Sequence, residues 1–190
     1  DIRHARADVL LANQLPKADS QFEAIQLPVP ARFRNAIYTP GQLFHGPTLQ
    51  GIAEVEGCDQ HAIQAIVHTA PRPAEWLQNP QRRSWLADPL VLDCAFQTMI
   101  LWTVEQQGAC SLPVRFESYR QYQPAYPKGQ IRVDARITEA TPNRVTANIE
   151  FTQPATNTLI ARIQNYECVV DPSLTQAFQR NQLHTLRTES

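Results

Sequence analysis

The stretch "PLVLDCAFQTMILWTV", Pro89 to Val104, decides how the rest of the chain is read. It holds one charged residue, Asp93, among Leu, Val, Cys, Ala, Phe, Met, Ile and Trp. Asp88 before it is a plausible N-cap and Pro89 suits the first helical position. Gly108 can end the element, so a helix over roughly 89–107 is expected. The apolar run falls short of the about 20 residues that cross a bilayer, which makes it a core helix. A helix apolar nearly all round needs cover on most sides.

Strands supply that cover. "LPVRFESYRQY" (112–122), "GQIRVDARITEA" (129–140), "NRVTANIEF" (143–151) and "NTLIARIQNYECVV" (157–170) follow the helix. In the second of these, Ile131, Val133, Ala135 and Ile137 alternate with Arg132, Asp134 and Arg136, the period of a half-buried strand. Upstream, "HARADVLLA" (4–12) alternates likewise, and "HAIQAIVHTA" (61–70) reads as another strand. Residues 13–40 are polar and Pro-rich, the pattern of a linker. "LFHGPTLQG" (43–51) must turn, and "PRPAEWLQNPQRR" (71–83) is a loop with three prolines. Short turns between consecutive strands mean an antiparallel sheet. A curved antiparallel sheet wrapped round one long helix is an α+β hotdog fold.

Lys and Arg number 17 against 18 Asp and Glu, a balance that gives no reason to expect nucleic acid or an anionic membrane as partner. The four cysteines, at 58, 94, 110 and 168, show neither CxxC nor Cys/His ligand spacing. Free thiols in a reducing cytosol are expected, with no metal site. No Gly-rich phosphate loop and no secretory signal is visible, so a cytoplasmic location is expected. The chain opens at Asp1 without Met and reads like a piece of a longer polypeptide.

Asp93 and Gln97 are four apart and share a helix face. A carboxylate in apolar surroundings tends to take up a proton, and a protonated carboxyl can hand it to a leaving group. Gln97 can fix its orientation. The bland alternative is an Asp that points to solvent or caps a loop. Cys94 has no basic neighbour and reads as core, and Trp76, Trp85 and Trp102 read as packing.

Three segments, in order, resemble one family. "DPLVLDCAFQ" (88–97) resembles the "HPALLDAALQ" segment of polyketide synthase dehydratase domains, with Asp88 where His is usual. "LFHGPTLQGI" (43–52) resembles their "Y-GP-FQGL" segment, and "LPVRFESYRQY" their "LP-W-GV" strand. The form "LFHGP-LQ" is similar to the dehydratase-like regions of polyunsaturated fatty acid synthases. The resemblance implies half of a double hotdog that eliminates water from a β-hydroxyacyl chain. That chain rides on the phosphopantetheine of an acyl carrier protein, with no other cofactor. It implies Asp93 as the acid and Gln97 as its partner, with His45, Gly46, Pro47, Leu49, Leu112 and Pro113 lining the substrate. Residues 1–40 become the end of a preceding hotdog plus linker, 41–172 the C-terminal hotdog and 173–190 a polar tail. Implied partners are the carrier, neighbouring synthase domains, the N-terminal hotdog and a second copy.

The family's base histidine sits in H-x-x-x-G-x-x-x-x-P. None of the five histidines, 4, 45, 61, 68 and 184, has Gly four residues on. His45, in a Gly-Pro turn, is expected to line the pocket rather than act as base. The chain alone is then expected to be inactive or very weak, because general-base help is worth roughly 10²–10⁴-fold. The competing readings are a non-catalytic pseudo-dehydratase that holds an acyl chain or braces a multienzyme, a hotdog thioesterase, and a product-template-like cyclase.

Overall fold

A computed structural model of the chain describes residues 5–10, 12–18, 26–34, 37–39 and 42–180. Strands β1 (Ile52–Cys58) and β2 (Ala62–His68) come first, then a short helix α1 (Pro73–Trp76) and the long helix α2 (Pro89–Gln107). Strands β3 (Ser111–Arg115), β4 (Ser118–Gln121), β5 (Gln130–Thr141), β6 (Arg144–Gln153) and β7 (Thr158–Val170) follow, then helix α3 (Pro172–Arg180). Every strand pair is antiparallel, in the order β1-β2-β5-β6-β7-β3, with β4 also on β7.

Helix α2 begins and ends as its sequence requires. The Asp88 carboxylate accepts from the backbone N–H of Leu90 and Val91, and Gly108 closes the helix at φ 70°. Its Val91, Cys94, Ala95, Met99 and Leu101 are fully buried. They meet the inward faces of the sheet, where Ile63, Val67, Ile131, Val133, Ile149 and Phe151 are equally closed to solvent. Each Val, Ile, Leu, Met or Phe among them contributes about 1.5–3 kcal/mol on leaving water, so this helix–sheet layer dominates the fold. Gly51 marks a close approach of the helix to the chain before β1. A Cβ there would stand 2.6 Å from Cys94 Sγ and 2.8 Å from Leu90 Cγ.

Several expectations need correction. The strand expected over 4–12 does not form: residues 5–10 carry no regular structure, and Leu10 is 97% exposed. Residues 4 and 11 lie outside the described set. Alternation alone makes no strand without a neighbour to accept its ladder. The strand expected over 112–122 is two, β3 and β4, both laid on β7. Its break follows a register shift between Pro113 and Arg115, where proline has no N–H to give the ladder. The 13–40 segment is not a plain linker, since Phe33 and Ile37 join the core. The 173–190 tail begins as α3, whose Leu174 and Phe178 pack against the core. Residues 181–190 lie outside the described residues.

Candidate active site

Asp93 sits on the second turn of α2, on the side turned to residues 45–49 rather than to the sheet. Its side chain is 33% exposed, so the carboxyl is neither sunk in the core nor free in bulk water. Gln97, one turn on, has no exposed surface. Its Nε2 donates to Asp93 Oδ2 at 2.6 Å and to the Leu49 carbonyl at 2.7 Å. The shared face foreseen from the spacing is therefore a direct bond. Gln97 Oε1 accepts from the Tyr38 hydroxyl at 2.9 Å, and that hydroxyl accepts from the Ile52 N–H at 2.7 Å.

His45 completes the group. Its Nε2 lies 3.7 Å from Asp93 Oδ2, and its side chain is nearly buried. The ring stacks on Phe44 with centroids 4.3 Å apart, and Phe44 in turn meets Phe178 of α3. His45 Nδ1 is closed to solvent and has no hydrogen-bond partner among the described residues. Burial lowers the imidazole's pKa below 6.5 and the Asp93 charge pulls the other way, so the neutral ring is favoured near neutral pH. The loop holding His45 is tied by its own bonds. The Leu49 N–H reaches the Gly46 carbonyl at 2.9 Å, and Gln50 Nε2 reaches the His45 carbonyl at 3.0 Å. Pro47 opens the 3-10 turn Pro47–Leu49 that turns the Leu49 carbonyl toward Gln97.

The structure thus brings together Asp93, Gln97, His45 and Leu49, with Gly46 and Pro47 in the connecting turn. Leu112 and Pro113 lie elsewhere. They belong to β3, whose Ser111 hydroxyl bonds Thr103, ten residues beyond Asp93 along the helix. That is about 15 Å of helical rise. Tyr38 went unforeseen because it lies in the polar segment before the Gly-Pro turn and is 59 residues from Gln97. Cys94, next to Asp93, is closed to solvent, and burial pushes its thiol up to about 12, which suits a core residue and not a nucleophile. A second feature, at the start of α2, is an open cleft of about 530 Å³ lined by Trp85, Asp88, Tyr126, Arg72, Arg83 and Lys128. Asp88 is already satisfied there by the N–H groups of Ala70, Leu90 and Val91. Among the described residues no three His, Cys, Asp or Glu side chains gather as metal ligands, and no helix is long and apolar enough to cross a membrane.

Comparison with known proteins follows the same lines. A family model described as the polyketide synthase dehydratase N-terminal domain matches residues 23–173. A polyunsaturated fatty acid synthase polypeptide of Thraustochytrium sp. is 31% identical over 124 residues, covering 63% of this chain and 4% of that polypeptide. The dehydratase domain of a mycocerosic acid synthase-like polyketide synthase superposes with TM-score 0.53 and 22% identity, over 66% of this chain and 42% of that one. The dehydratase domain of the CurJ module of curacin polyketide synthase gives TM-score 0.55 and 13% identity, over 73% and 46%. The chain spans less than half of either dehydratase domain, and the shared architecture is the hotdog fold. The matched model is described as the N-terminal domain, where the resemblance of residues 88–97 implies the C-terminal hotdog.

Proposed function

The chain belongs to the polyketide synthase dehydratase family, and from that premise we propose that it carries the acid half of a water-eliminating site. The substrate is a β-hydroxyacyl thioester on the phosphopantetheine of an acyl carrier protein, within a polyketide or polyunsaturated fatty acid synthase. The observation that carries this reading is the Asp93 carboxyl, one-third open and held by Gln97 at 2.6 Å. An acyl chain seated over that open third displaces water from the carboxyl. A base then removes the proton on the α-carbon and the α,β double bond forms. The β C–O bond breaks, and Asp93 gives its proton to the departing hydroxyl, which leaves as water. Proton return from the base to the Asp93 carboxylate resets the site.

The base in this reading is a histidine of the complementary hotdog. A catalytic imidazole usually has its second ring nitrogen held by a partner, and Nδ1 of His45 has none among the described residues. His45 is therefore assigned as a neutral wall of the pocket. The Asp-x-x-x-Gln pattern favours the C-terminal hotdog, which makes the N-terminal hotdog, the carrier and neighbouring synthase domains the partners. A second reading, a non-catalytic acyl-binding module, is favoured by one observation: no histidine of this chain carries the family's base motif. The two part on one experiment. Asp93→Asn in the full-length protein abolishes loss of water from a β-hydroxyacyl carrier thioester if the site is catalytic. Full turnover by that variant refutes the catalytic reading.

A further inference from the structure

We infer that Tyr38 is a positioning residue of this site: its hydroxyl fixes the Gln97 amide and, through it, aims the Asp93 carboxyl. This rests on the dehydratase reading above and adds a residue that none of the three resembling segments contains.

A glutamine amide can lie either way round, and its surroundings choose. As it stands, Nε2 spends its two hydrogens on the Leu49 carbonyl and Asp93 Oδ2, and Oε1 faces Tyr38. Turned over, Oε1 would meet the Leu49 carbonyl oxygen with no hydrogen between them. The Tyr38 hydroxyl makes the choice firm. The Ile52 N–H already occupies one of its lone pairs at 2.7 Å, so the hydroxyl hydrogen is the one directed at Oε1. Burial pushes the phenol above its ordinary 10, so it keeps that hydrogen throughout the physiological range. Gln97 has no exposed surface, so bulk water has no open path to stand in for Tyr38. Three separate segments, around Tyr38, around Leu49 and along α2, are thereby pinned at one amide.

The test uses the full-length protein with Tyr38→Phe, Gln97→Ala and the double variant, assayed on a β-hydroxyacyl carrier thioester. Tyr38→Phe is expected to lower kcat roughly tenfold, the scale of one lost orienting hydrogen bond, with KM unchanged. On the Gln97→Ala background it should cost nothing further. A second readout needs no turnover. The Gln97 side-chain amide hydrogens should exchange slowly with solvent in the parent protein and fast in Tyr38→Phe, with backbone protection kept. Additive losses in the double variant, or a Gln97 amide equally protected in Tyr38→Phe, overturn the inference. Unchanged turnover in Asp93→Asn would instead remove the dehydratase reading, and amide exchange still decides the role of Tyr38.

Discussion

His45 Nε2 stands 3.7 Å from Asp93 Oδ2, although 48 residues separate them in the chain. The same oxygen takes a hydrogen bond from Gln97 and faces the His45 ring, itself held by stacking on Phe44. A carboxyl so placed is oriented in advance, which is what the proposed general-acid role asks of it.

The imidazole makes stability depend on pH. Burial depresses the folded-state pKa of His45 below 6.5, so the unfolded chain binds this proton more readily. The sign follows by linkage: the contribution is fully present above pH 6.5 and is lost as pH falls through the lower folded value. Urea midpoints measured at pH 7.5 and at pH 5 should fall on acidification. In His45→Gln the part of that fall due to the ring should vanish; an identical pH dependence in both proteins contradicts the assignment.

Asp88 ties the start of α2 to the segment after β2. Its carboxylate serves Leu90 and Val91 within the helix and the Ala70 N–H outside it, at 2.9 Å. Asp88→Ala should cost about 2–4 kcal/mol in urea unfolding: a cap worth about 1 and an orphaned N–H worth about 1–3. Asp88→Asn, which keeps one acceptor oxygen, should lose less. Equal losses in the two variants would show that the carboxylate's acceptor role is not what holds this end.

Gly51 sets the distance between α2 and the loop that carries His45. A methyl group there would sit 2.6 Å from Cys94 Sγ. Gly51→Ala should destabilise the protein by about 1–3 kcal/mol through overpacking, and Cys94→Ala should recover part of the loss. Thermal unfolding of the two single variants and the double variant reads this directly. Strict additivity would place the strain elsewhere.

The Cys94 thiol, pushed up to about 12 by burial, should resist alkylation by iodoacetamide at pH 8 in the folded protein and react once urea unfolds it. Mass mapping of the modified peptide decides. Rapid labelling in the native state would mean that the helix face beside Asp93 opens.

What the sequence made legible was whatever lay close together along it. Asp88, Pro89 and Gly108 bound α2, and the alternation in β5 and β6 reads straight off the residues. β1 escaped notice because irregularities after Ile52 and Val55 break its alternation. "HARADVLLA" misled for the opposite reason, showing alternation with no partner strand beside residues 5–10 among the described residues. In the site, the pair Asp93 and Gln97 was visible because helical spacing makes them neighbours. Tyr38 and Leu49 reach Gln97, and Ile52 reaches Tyr38, only through the fold, and no local pattern announces such contacts.

The most direct test of the account is the turnover of Asp93→Asn. Asparagine keeps the size of the side chain and an oxygen for Gln97, but it has no acidic proton to give. In the full-length protein, with a β-hydroxyacyl carrier thioester as substrate, the account predicts that this variant folds normally and forms no enoyl product. Enoyl product appearing at the parent rate would contradict it.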